Sequence, residues 1–184
     1  MSNTNDKKTC VVVGYGGMGG WHTRHILEAG AVNLAGIYDI KEERRALAEE
    51  NGIHAYPTFE AVLADPTVDF ITIATPNEFH KPLAIAALRA GKHVISEKPV
   101  TLSSADLAEI CAVANECGKL FTAHQNRRWD CDYRMTREAY HSGKLGQVTS
   151  VESRYQGSRG IPGDWRGKKE HGGGMIYDWG VHLI

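Results

Sequence analysis

Short apolar runs alternate with amphipathic segments through the first two thirds of the chain. The run 9–13 is apolar throughout, which is typical of a central parallel strand buried on both faces. Further strands are predicted over 32–39, 54–56, 69–74, 93–96 and 120–123, and helices over 17–28, 41–50, 59–63, 81–89 and 103–116. Strands that alternate with helices in this way predict repeated βα units, and therefore an α/β fold.

The alternation ends near residue 124. Beyond this point the pattern predicts a helix over 132–141, a long strand over 147–156, a glycine-rich basic loop over 157–172 and a helix over 173–184. One strand cannot form a sheet, because a stable sheet needs several paired strands. We therefore predict two domains, 1–124 and 125–184, of which the second is incomplete. We expect the chain to be a piece of a longer protein.

Composition excludes several classes of protein. The 184 residues carry a net charge of −1, so no bulk attraction to nucleic acid or to an anionic membrane is expected. No apolar stretch approaches the roughly 20 residues of a membrane span, and the polar start does not resemble a signal peptide. The four cysteines lack metal-type spacing and are predicted to be free thiols. These features predict a cytoplasmic protein.

A glycine-rich loop follows the first predicted strand. Gly14, Gly16 and Gly19 form the pattern G-x-G-x-x-G, with Met18 inside it, and the loop opens a helix. In a dinucleotide-binding fingerprint, these glycines allow a tight turn, approach of the pyrophosphate and close packing of helix on strand. The pattern predicts a dinucleotide site, and the alternative is a glycine-rich turn without a ligand.

An acidic residue ends the second predicted strand. Asp39 lies twenty positions after Gly19, where a carboxylate can accept hydrogen bonds from both adenosine-ribose hydroxyls and repel a 2′-phosphate. This position favours NAD. NADP stays possible because Arg44 and Arg45 follow closely and can support a phosphate. The alternative role for Asp39 is that of a turn or helix-capping residue.

Polar groups also follow the next two strands. The segment after 69–74 contains four candidate cofactor contacts, and the run 93–96 is followed by Glu97, Lys98 and Pro99. Because ligands of open parallel sheets bind outside the carboxyl ends of the strands, both segments are expected to face one site. The four candidates after 69–74 are Thr75, Pro76, Asn77 and His80.

Four ordered motifs resemble the Gfo/Idh/MocA family of nicotinamide-dependent oxidoreductases: GYGGMGGWH (14–22), ADPTVDFITIATPNEFH (64–80), AGKHVISEKPV (90–100) and GGGMIYDWGVH (172–182). The segments HQNRRWDCDY (124–133) and DWRGKKE (164–170) resemble the branch with inositol dehydrogenases. The resemblance implies a Rossmann domain, a doubly wound parallel sheet, followed by an α+β domain with a mostly antiparallel sheet. That second sheet implies a homo-oligomer, a dimer or a tetramer, and substrate is expected between the domains.

The resemblance also implies roles for individual residues. Lys98 would contact substrate and the nicotinamide region, Glu97 would hold the nicotinamide ribose, and Asn126 would contact the cofactor. Asp178 and His182 are four positions apart and would share one face of a helix. Histidine is suited to accept a hydroxyl proton near neutral pH, so His182 is the predicted general base. Asp178 is predicted to orient it or to bind substrate.

Further polar residues are candidates to contact a polyhydroxylated substrate, with interdomain ion pairing as the alternative. They are Arg127 and Trp165, together with Asn126, Arg128, Asp130 and Arg166. His22, His124 and His171 have no acid at recognisable metal-ligand spacing, so we predict no metal.

The leading hypothesis is an NAD-dependent dehydrogenase that oxidises a secondary hydroxyl of a sugar or cyclitol. One alternative is a lyase or epimerase that retains NAD and oxidises its substrate transiently. Another is a non-catalytic sensor of dinucleotides, which would have no need of the proton-transfer pair. We expect the 184 residues alone to be inactive, because an incomplete second sheet would expose unpaired edges.

Overall fold

The computed structural model describes residues 7–156 and 163–183. The chain divides between Ala123 and His124 into two units, which are described separately below. In the first unit the apolar run at the start of the chain forms strand β1, which lies between β2 and β3 inside a five-stranded parallel sheet. The order of strands is β2-β1-β3-β4-β5, with bounds β1 Thr9–Val13, β2 Asn33–Tyr38, β3 Phe70–Ile73, β4 His93–Ser96 and β5 Phe121–Ala123.

Helices cover both faces of this sheet, because successive side chains of β1 enter two different apolar clusters. Val11 and Val13 pack in a cluster with residues of α3, α4 and α5, whereas Val12 packs in a second cluster with residues of α1 and α2. The helices of the unit are α1 Gly17–Ala29, α2 Glu42–Glu50, α3 Phe59–Ala64, α4 His80–Arg89 and α5 Ser104–Glu116. The predicted α/β fold with a doubly wound parallel sheet is confirmed.

The sheet has five strands, although the sequence predicted six. The predicted strand over 54–56 makes a single bridge, in which Ala55 pairs with Ile37. The backbone N–H of Tyr56 donates to the carbonyl of Ile37 at 2.8 Å. The next residue is Pro57, which lacks an N–H and cannot extend the pairing.

The second unit is mostly helical and irregular. Helix α6 spans Cys131–His141, 3₁₀ turns span Asn126–Trp129, Trp165–Gly167 and Lys169–His171, and the short helix α7 spans Met175–Asp178. The predicted strand over 147–156 is wrong, because these residues form irregular backbone. Its alternating pattern suits a strand, but no other described segment of 124–184 is a strand that could pair with it.

The helix predicted over 173–184 is also much shorter than expected. It consists of α7 and a separate 3₁₀ turn, Gly180–His182, and residue 184 lies outside the described part of the chain. Gly174 precedes α7 with a φ of 132°, which no right-handed helix contains, and Gly180 is the first residue of the 3₁₀ turn. The predicted loop over 157–172 is described only from 163, where it contains two 3₁₀ turns.

All four cysteines are free, as predicted. Cys10 is buried in β1, and burial raises the pKa of its thiol to about 12. Within 7–156 and 163–183, no helix has the length and apolar character that a membrane span requires.

Candidate functional site at the carboxyl edge of the sheet

The candidate site begins where β1 and β3 end side by side. Val13 pairs with Tyr38 of β2 on one side and with Ile73 of β3 on the other. The chain proceeds from β1 outward to β2 and then returns to β3, so the direction of strand progression reverses between β1 and β3. Such a reversal opens a crevice at the carboxyl ends of the strands, where doubly wound proteins bind their ligands.

The glycine-rich loop has the geometry that a dinucleotide requires. Gly14 has a φ of 91°, and a Cβ atom on it would lie 2.6 Å from the carbonyl oxygen of Ala74, so a side chain is excluded. A Cβ on Gly19 would collide with the carbonyl of Gly14, which shows how closely α1 packs on the loop. A Cβ on Gly16 meets no described atom within 4 Å, so the backbone there is open to a phosphate.

Gly16 is also the N-cap of α1 and gives that helix no side-chain hydrogen bond. The first turn of a helix carries N–H groups and a positive dipole end that suit an anion. Met18 lies in this first turn and is partly buried. The residues of the loop therefore fit the pyrophosphate of a dinucleotide.

Asp39 follows β2 and joins its end to the glycine-rich loop. Its Oδ2 accepts a hydrogen bond of 2.7 Å from the backbone N–H of Tyr15, and its Oδ1 accepts one of 2.9 Å from the N–H of Lys41. A carboxylate offers about four lone-pair sites, so two remain for ribose hydroxyls. The turn role and the ribose role are compatible, since the bond to Tyr15 holds the carboxylate beside the loop.

The two arginines after Asp39 differ in position. Arg45 donates from Nη1 to the carbonyl oxygen of Asp39 at 2.7 Å, so its guanidinium is tied to the backbone at the end of β2. Arg44 is exposed on α2. Arg44 is therefore the better candidate to meet a 2′-phosphate.

Glu97, in the turn after β4, is held by a residue that the sequence did not identify as part of the site. Nε2 of His22 in α1 lies 2.8 Å from Oε1 of Glu97, and each side chain is only 8% exposed. The other carboxylate oxygen of Glu97 accepts the backbone N–H of Lys98 at 3.2 Å. The motif GYGGMGGWH contains His22, but its spacing alone does not reveal a carboxylate partner 75 residues away.

Lys98 stands at the outer end of this turn. Its side chain is partly exposed, in contrast to those of Glu97 and Pro99, which are buried. The Lys98–Pro99 peptide bond is cis. A buried glutamate and a buried proline thus fix the backbone on both sides of a lysine that reaches the sheet edge.

His80 has a different place from the one predicted for it. The ring is 1% exposed, with Nδ1 2.8 Å from the carbonyl oxygen of Pro99 and Nε2 2.9 Å from that of Thr75. Both nitrogens face protein carbonyls, so His80 braces the loops after β3 and β4 and presents neither nitrogen to a cofactor. Burial lowers its pKa, and the hydrogen bonds to the two carbonyls oppose this effect in part.

The other residues after β3 stay candidates for cofactor contact. Thr75 and Pro76 are partly exposed at the sheet edge, and Asn77 is buried at the start of a 3₁₀ turn that leads into α4. Together with the loops after β1, β2 and β4, they complete one edge of the sheet. The structure therefore brings the predicted cofactor residues of the first unit to the carboxyl edge of one sheet.

In the second unit, Asp178 and His182 do not lie on one continuous α-helix. Asp178 is the last residue of α7 and His182 ends the 3₁₀ turn that follows, so the face-sharing argument from their spacing does not apply. Oδ1 of Asp178 lies 3.7 Å from Nε of Arg166. Nδ1 of His182 lies 2.8 Å from Oε1 of Gln125, a residue that the sequence analysis did not single out.

The remaining candidates of the second unit form aromatic and ionic contacts. Arg127 pairs with Asp130 at 2.9 Å and lies 5.6 Å from the ring of Trp179. Trp165 packs under the guanidinium of Arg166 at 4.7 Å. Asn126 is partly buried at the start of its 3₁₀ turn. The pairing of Arg127 with Asp130 lies within the second unit, so the interdomain ion-pair alternative stays a prediction.

A doubly wound sheet with this glycine loop defines a dinucleotide-binding protein. A family model described as an oxidoreductase family with an NAD-binding Rossmann fold matches residues 8–125, and the GFO/IDH/MocA C-terminal domain model matches residues 133–184. The chain belongs to the GFO/IDH/MocA family of oxidoreductases. The resemblance inferred from the four motifs is confirmed, and the matching model describes an NAD-binding domain, as predicted.

Three similar proteins illustrate the family. The crystal structure of an NAD-binding protein from Listeria innocua has a TM-score of 0.92 and 50% identity, over 96% of this chain and 52% of that one. The 1,5-anhydro-D-fructose reductase of Ensifer adhaerens is 34% identical over 77% of this chain and 43% of its own. The scyllo-inositol 2-dehydrogenase (NADP(+)) IolW of Bacillus subtilis strain 168 is 29% identical over 78% and 40%. The chain thus spans about two fifths to one half of these relatives.

Proposed function

We propose that the protein is an NAD(P)-dependent dehydrogenase that oxidises a secondary hydroxyl of a sugar or an inositol-like cyclitol. The observation that carries this proposal is the buried hydrogen bond between His22 and Glu97. It joins α1, whose first turn suits the pyrophosphate, to the turn that presents Lys98. A lysine fixed in this way beside a dinucleotide site is suited to act on the reacting end of the cofactor.

Different residues of the first unit are proposed to bind different parts of the cofactor. Gly14, Gly16, Met18 and Gly19 form the pyrophosphate loop, and Asp39 stands where the adenosine ribose is expected. Glu97 is proposed to hold the nicotinamide ribose, and Thr75, Pro76 and Asn77 are proposed to contact the cofactor at the sheet edge between these two ribose sites. When bound, the nicotinamide supplies an acceptor for one hydride. Asp39 favours NAD, whereas the NADP(+)-dependent relative IolW keeps NADP open.

The chemistry assigned to the chain is the removal of a proton and the stabilisation of charge. As the carbinol carbon loses its hydride, the hydroxyl proton must leave and the oxygen becomes the carbonyl oxygen of the product. His182 accepts this proton as general base, and the ammonium of Lys98 hydrogen-bonds the same oxygen and stabilises its developing negative charge. The products are a ketone, a reduced cofactor and one proton, so atoms and electrons balance.

Asp178, Arg127 and Trp165 are proposed to contact the substrate. Arg166 sits beside both Asp178 and Trp165, so it holds these two candidates in one neighbourhood of the second unit. A carboxylate and a guanidinium supply the acceptors and donors that a polyhydroxylated ligand needs. The inositol and sugar enzymes among the relatives support this class of substrate.

The test is a screen of the complete gene product against cyclitols, aldoses and sugar acids with NAD and with NADP, followed by absorbance of the reduced cofactor. Lys98→Met and His182→Asn are each expected to lower kcat at least about a hundredfold, the usual scale for loss of a general base or of charge stabilisation. Lys144→Met and His141→Asn change an exposed lysine and an exposed histidine and serve as matched controls. Turnover within a few-fold of wild type in either site variant would refute these roles.

The expected homo-oligomer, the cytoplasmic location and the absence of a metal stay predictions. An NAD-retaining lyase or epimerase and a dinucleotide sensor are the competing outcomes of the screen. Substrate conversion without accumulation of reduced cofactor would favour the first. Binding of cofactor without any turnover would favour the second.

A further inference from the structure

Gln125 links two groups around the predicted general base. Its Nε2 lies 2.6 Å from the backbone carbonyl oxygen of Val181, and its Oε1 lies 2.8 Å from Nδ1 of His182. The side-chain amide of Gln125 thus contacts both the backbone of Val181 and the ring of His182. Gln125 directly follows His124, at the start of the second unit, 57 positions before the histidine.

The chemistry of these atoms fixes where the proton of the ring resides. The carbonyl of Val181 can only accept a hydrogen bond, so the atom of Gln125 that faces it must be the amide nitrogen, which donates. The opposite atom of the side chain is then the amide oxygen, which can only accept. Nδ1 of His182 must therefore carry a proton and donate it to Oε1.

We propose that Gln125 is a positioning residue that holds His182 in the Nδ1–H tautomer. A neutral imidazole has one N–H and one lone pair, so this tautomer places the lone pair on Nε2. This inference rests on the proposed function, in which His182 is the general base. Nε2 is then the atom that receives the substrate proton, and the ring remains anchored through Nδ1 when it becomes charged.

Trp179 also contacts the ring that Gln125 holds, and Tyr155 and Arg127 contact Trp179 in turn. The centroid of the Trp179 ring lies 5.6 Å from that of the His182 ring with an interplanar angle of 62°, and the ring of Tyr155 stacks on that of Trp179 with centroids 3.6 Å apart. Arg127 lies 5.6 Å from the centre of the same tryptophan ring. Aromatic packing limits the tilt of the imidazole, whereas only Gln125 in this set forms a hydrogen bond that selects a tautomer.

Asp178 was predicted to orient His182 or to bind substrate, and in this proposal Gln125 performs the first of these tasks. The carboxylate of Asp178 lies beside Arg166. A neutral amide and a carboxylate differ in effect: both accept the Nδ1–H, but only the amide also donates to the Val181 carbonyl and thereby fixes its own orientation. The amide therefore specifies the tautomer without adding a negative charge beside the base.

The test is ¹⁵N NMR of the histidine rings in the complete, ¹⁵N-labelled gene product without substrate, with His182→Asn used to assign the signals of His182. Wild type is expected to show a protonated Nδ1 and an unprotonated Nε2 in the neutral ring. Gln125→Met preserves length but removes both hydrogen bonds, and is expected to yield a mixture of tautomers. Gln147→Met changes an exposed glutamine of the same unit and is expected to leave the signals of His182 unchanged.

Kinetics give the second readout. Gln125→Met is expected to lower kcat about tenfold or more while KM for substrate changes little. The reason is that general-base catalysis needs the lone pair on the ring nitrogen that faces the substrate. Gln125→Glu keeps an acceptor for Nδ1–H and is expected to retain the Nδ1–H tautomer and to recover part of kcat. If the role of Gln125 were merely structural, both variants would lose activity to the same extent, and His182 would keep the wild-type tautomer in both.

The outcomes separate this inference from the proposed function. A wild-type ring protonated on Nε2, or a Gln125→Met ring still protonated only on Nδ1, would overturn the inference even if His182→Asn is inactive. The opposite outcome is also distinguishable. If wild type has the expected tautomer and Gln125→Met yields the mixture, but His182→Asn retains full turnover, then Gln125 sets the tautomer and the general-base role of His182 is refuted.

Discussion

Nε2 of His22 and Oε1 of Glu97 are 2.8 Å apart in a position where both side chains are largely shielded from water. The bond crosses from α1 to the turn after β4, so it couples the helix that follows the glycine-rich loop to the turn of Lys98. A buried carboxylate is costly unless hydrogen bonds satisfy it. His22 is therefore expected to contribute both to stability and to the geometry of the turn that carries Lys98.

Replacing His22 by leucine should destabilise the first unit and weaken NAD binding. Loss of a hydrogen bond to a charged group costs about 1.5–3 kcal/mol. Urea unfolding measures this change, and fluorescence titration with NAD measures the affinity. In a Glu97→Gln background the same substitution should cost less, because the acceptor is then uncharged. Equal costs in both backgrounds would argue against a charge-assisted bond.

A methyl group on Gly16 should block the cofactor and leave the fold intact. Gly16 has a φ of −84°, and a Cβ there meets no described atom within 4 Å, so Gly16→Ala is expected to cost less than about 1 kcal/mol of stability. We expect its Kd for NAD to rise about tenfold or more, equivalent to about 1.4 kcal/mol. Calorimetric titration checks the affinity and thermal unfolding checks the fold.

Gly20→Ala is the matched control for that experiment. Gly20 lies inside α1, and a Cβ on it also meets nothing within 4 Å among the described residues. Alanine in a helix interior is more favourable than glycine by about 1 kcal/mol, so this variant should be at least as stable as wild type. It should bind NAD normally. If Gly16→Ala also binds NAD normally, the pyrophosphate does not bind at this loop.

Asp39→Asn should relax the discrimination against NADP. The amide oxygen can still accept one hydrogen bond, either from Tyr15 or from Lys41, but the negative charge that repels a 2′-phosphate is gone. The ratio of Kd values for NADP and NAD is expected to fall about tenfold. Asp39→Ala removes every acceptor and should weaken binding of both cofactors. An unchanged ratio in Asp39→Asn would show that this carboxylate does not select the cofactor.

The stability of the first unit should fall as the pH falls below about 6.5, the ordinary pKa of histidine, because burial lowers the pKa of His80. The unfolded chain then binds more protons than the folded one, so stability is complete above the ordinary pKa and decreases toward the lowered, folded-state pKa. Urea unfolding over this pH range checks the slope, and His80→Phe should flatten it. Ala87→Gly, on the same helix, should lower stability about equally at every pH.

Features that depend on local sequence were predicted well. Strand β4 has the predicted bounds because its apolar run is short and sharply ended, and α5 begins at Ser104 because Ser103 accepts a hydrogen bond from the N–H of Asp106. The prediction of a strand over 147–156 was wrong because a strand needs a paired strand, and the sequence pattern of this segment does not show whether one is present.

The contacts that organise the site were harder to predict for a related reason. His22 and Glu97 are 75 positions apart, and Gln125 and His182 are 57 apart. No periodicity connects such pairs, and only the folded backbone brings them within hydrogen-bond distance. The glycines and Asp39 were accessible from sequence because a single βαβ unit fixes their spacing. His80 was correctly predicted to lie at the carboxyl edge of the sheet. Its ring is buried, however, and both nitrogens face protein carbonyls, which the prediction of cofactor contact did not foresee.

In the proposed reaction, a hydride leaves a carbinol carbon of the substrate and is retained by the cofactor. The most direct measurement uses a substrate from the screen that carries deuterium on that carbon, with mass spectrometry of the cofactor after a single turnover of the complete gene product. Net dehydrogenation predicts deuterated, reduced cofactor in an amount equal to that of the ketone product. Deuterium returned to the sugar, with the cofactor still oxidised, would contradict net dehydrogenation and establish transient oxidation instead.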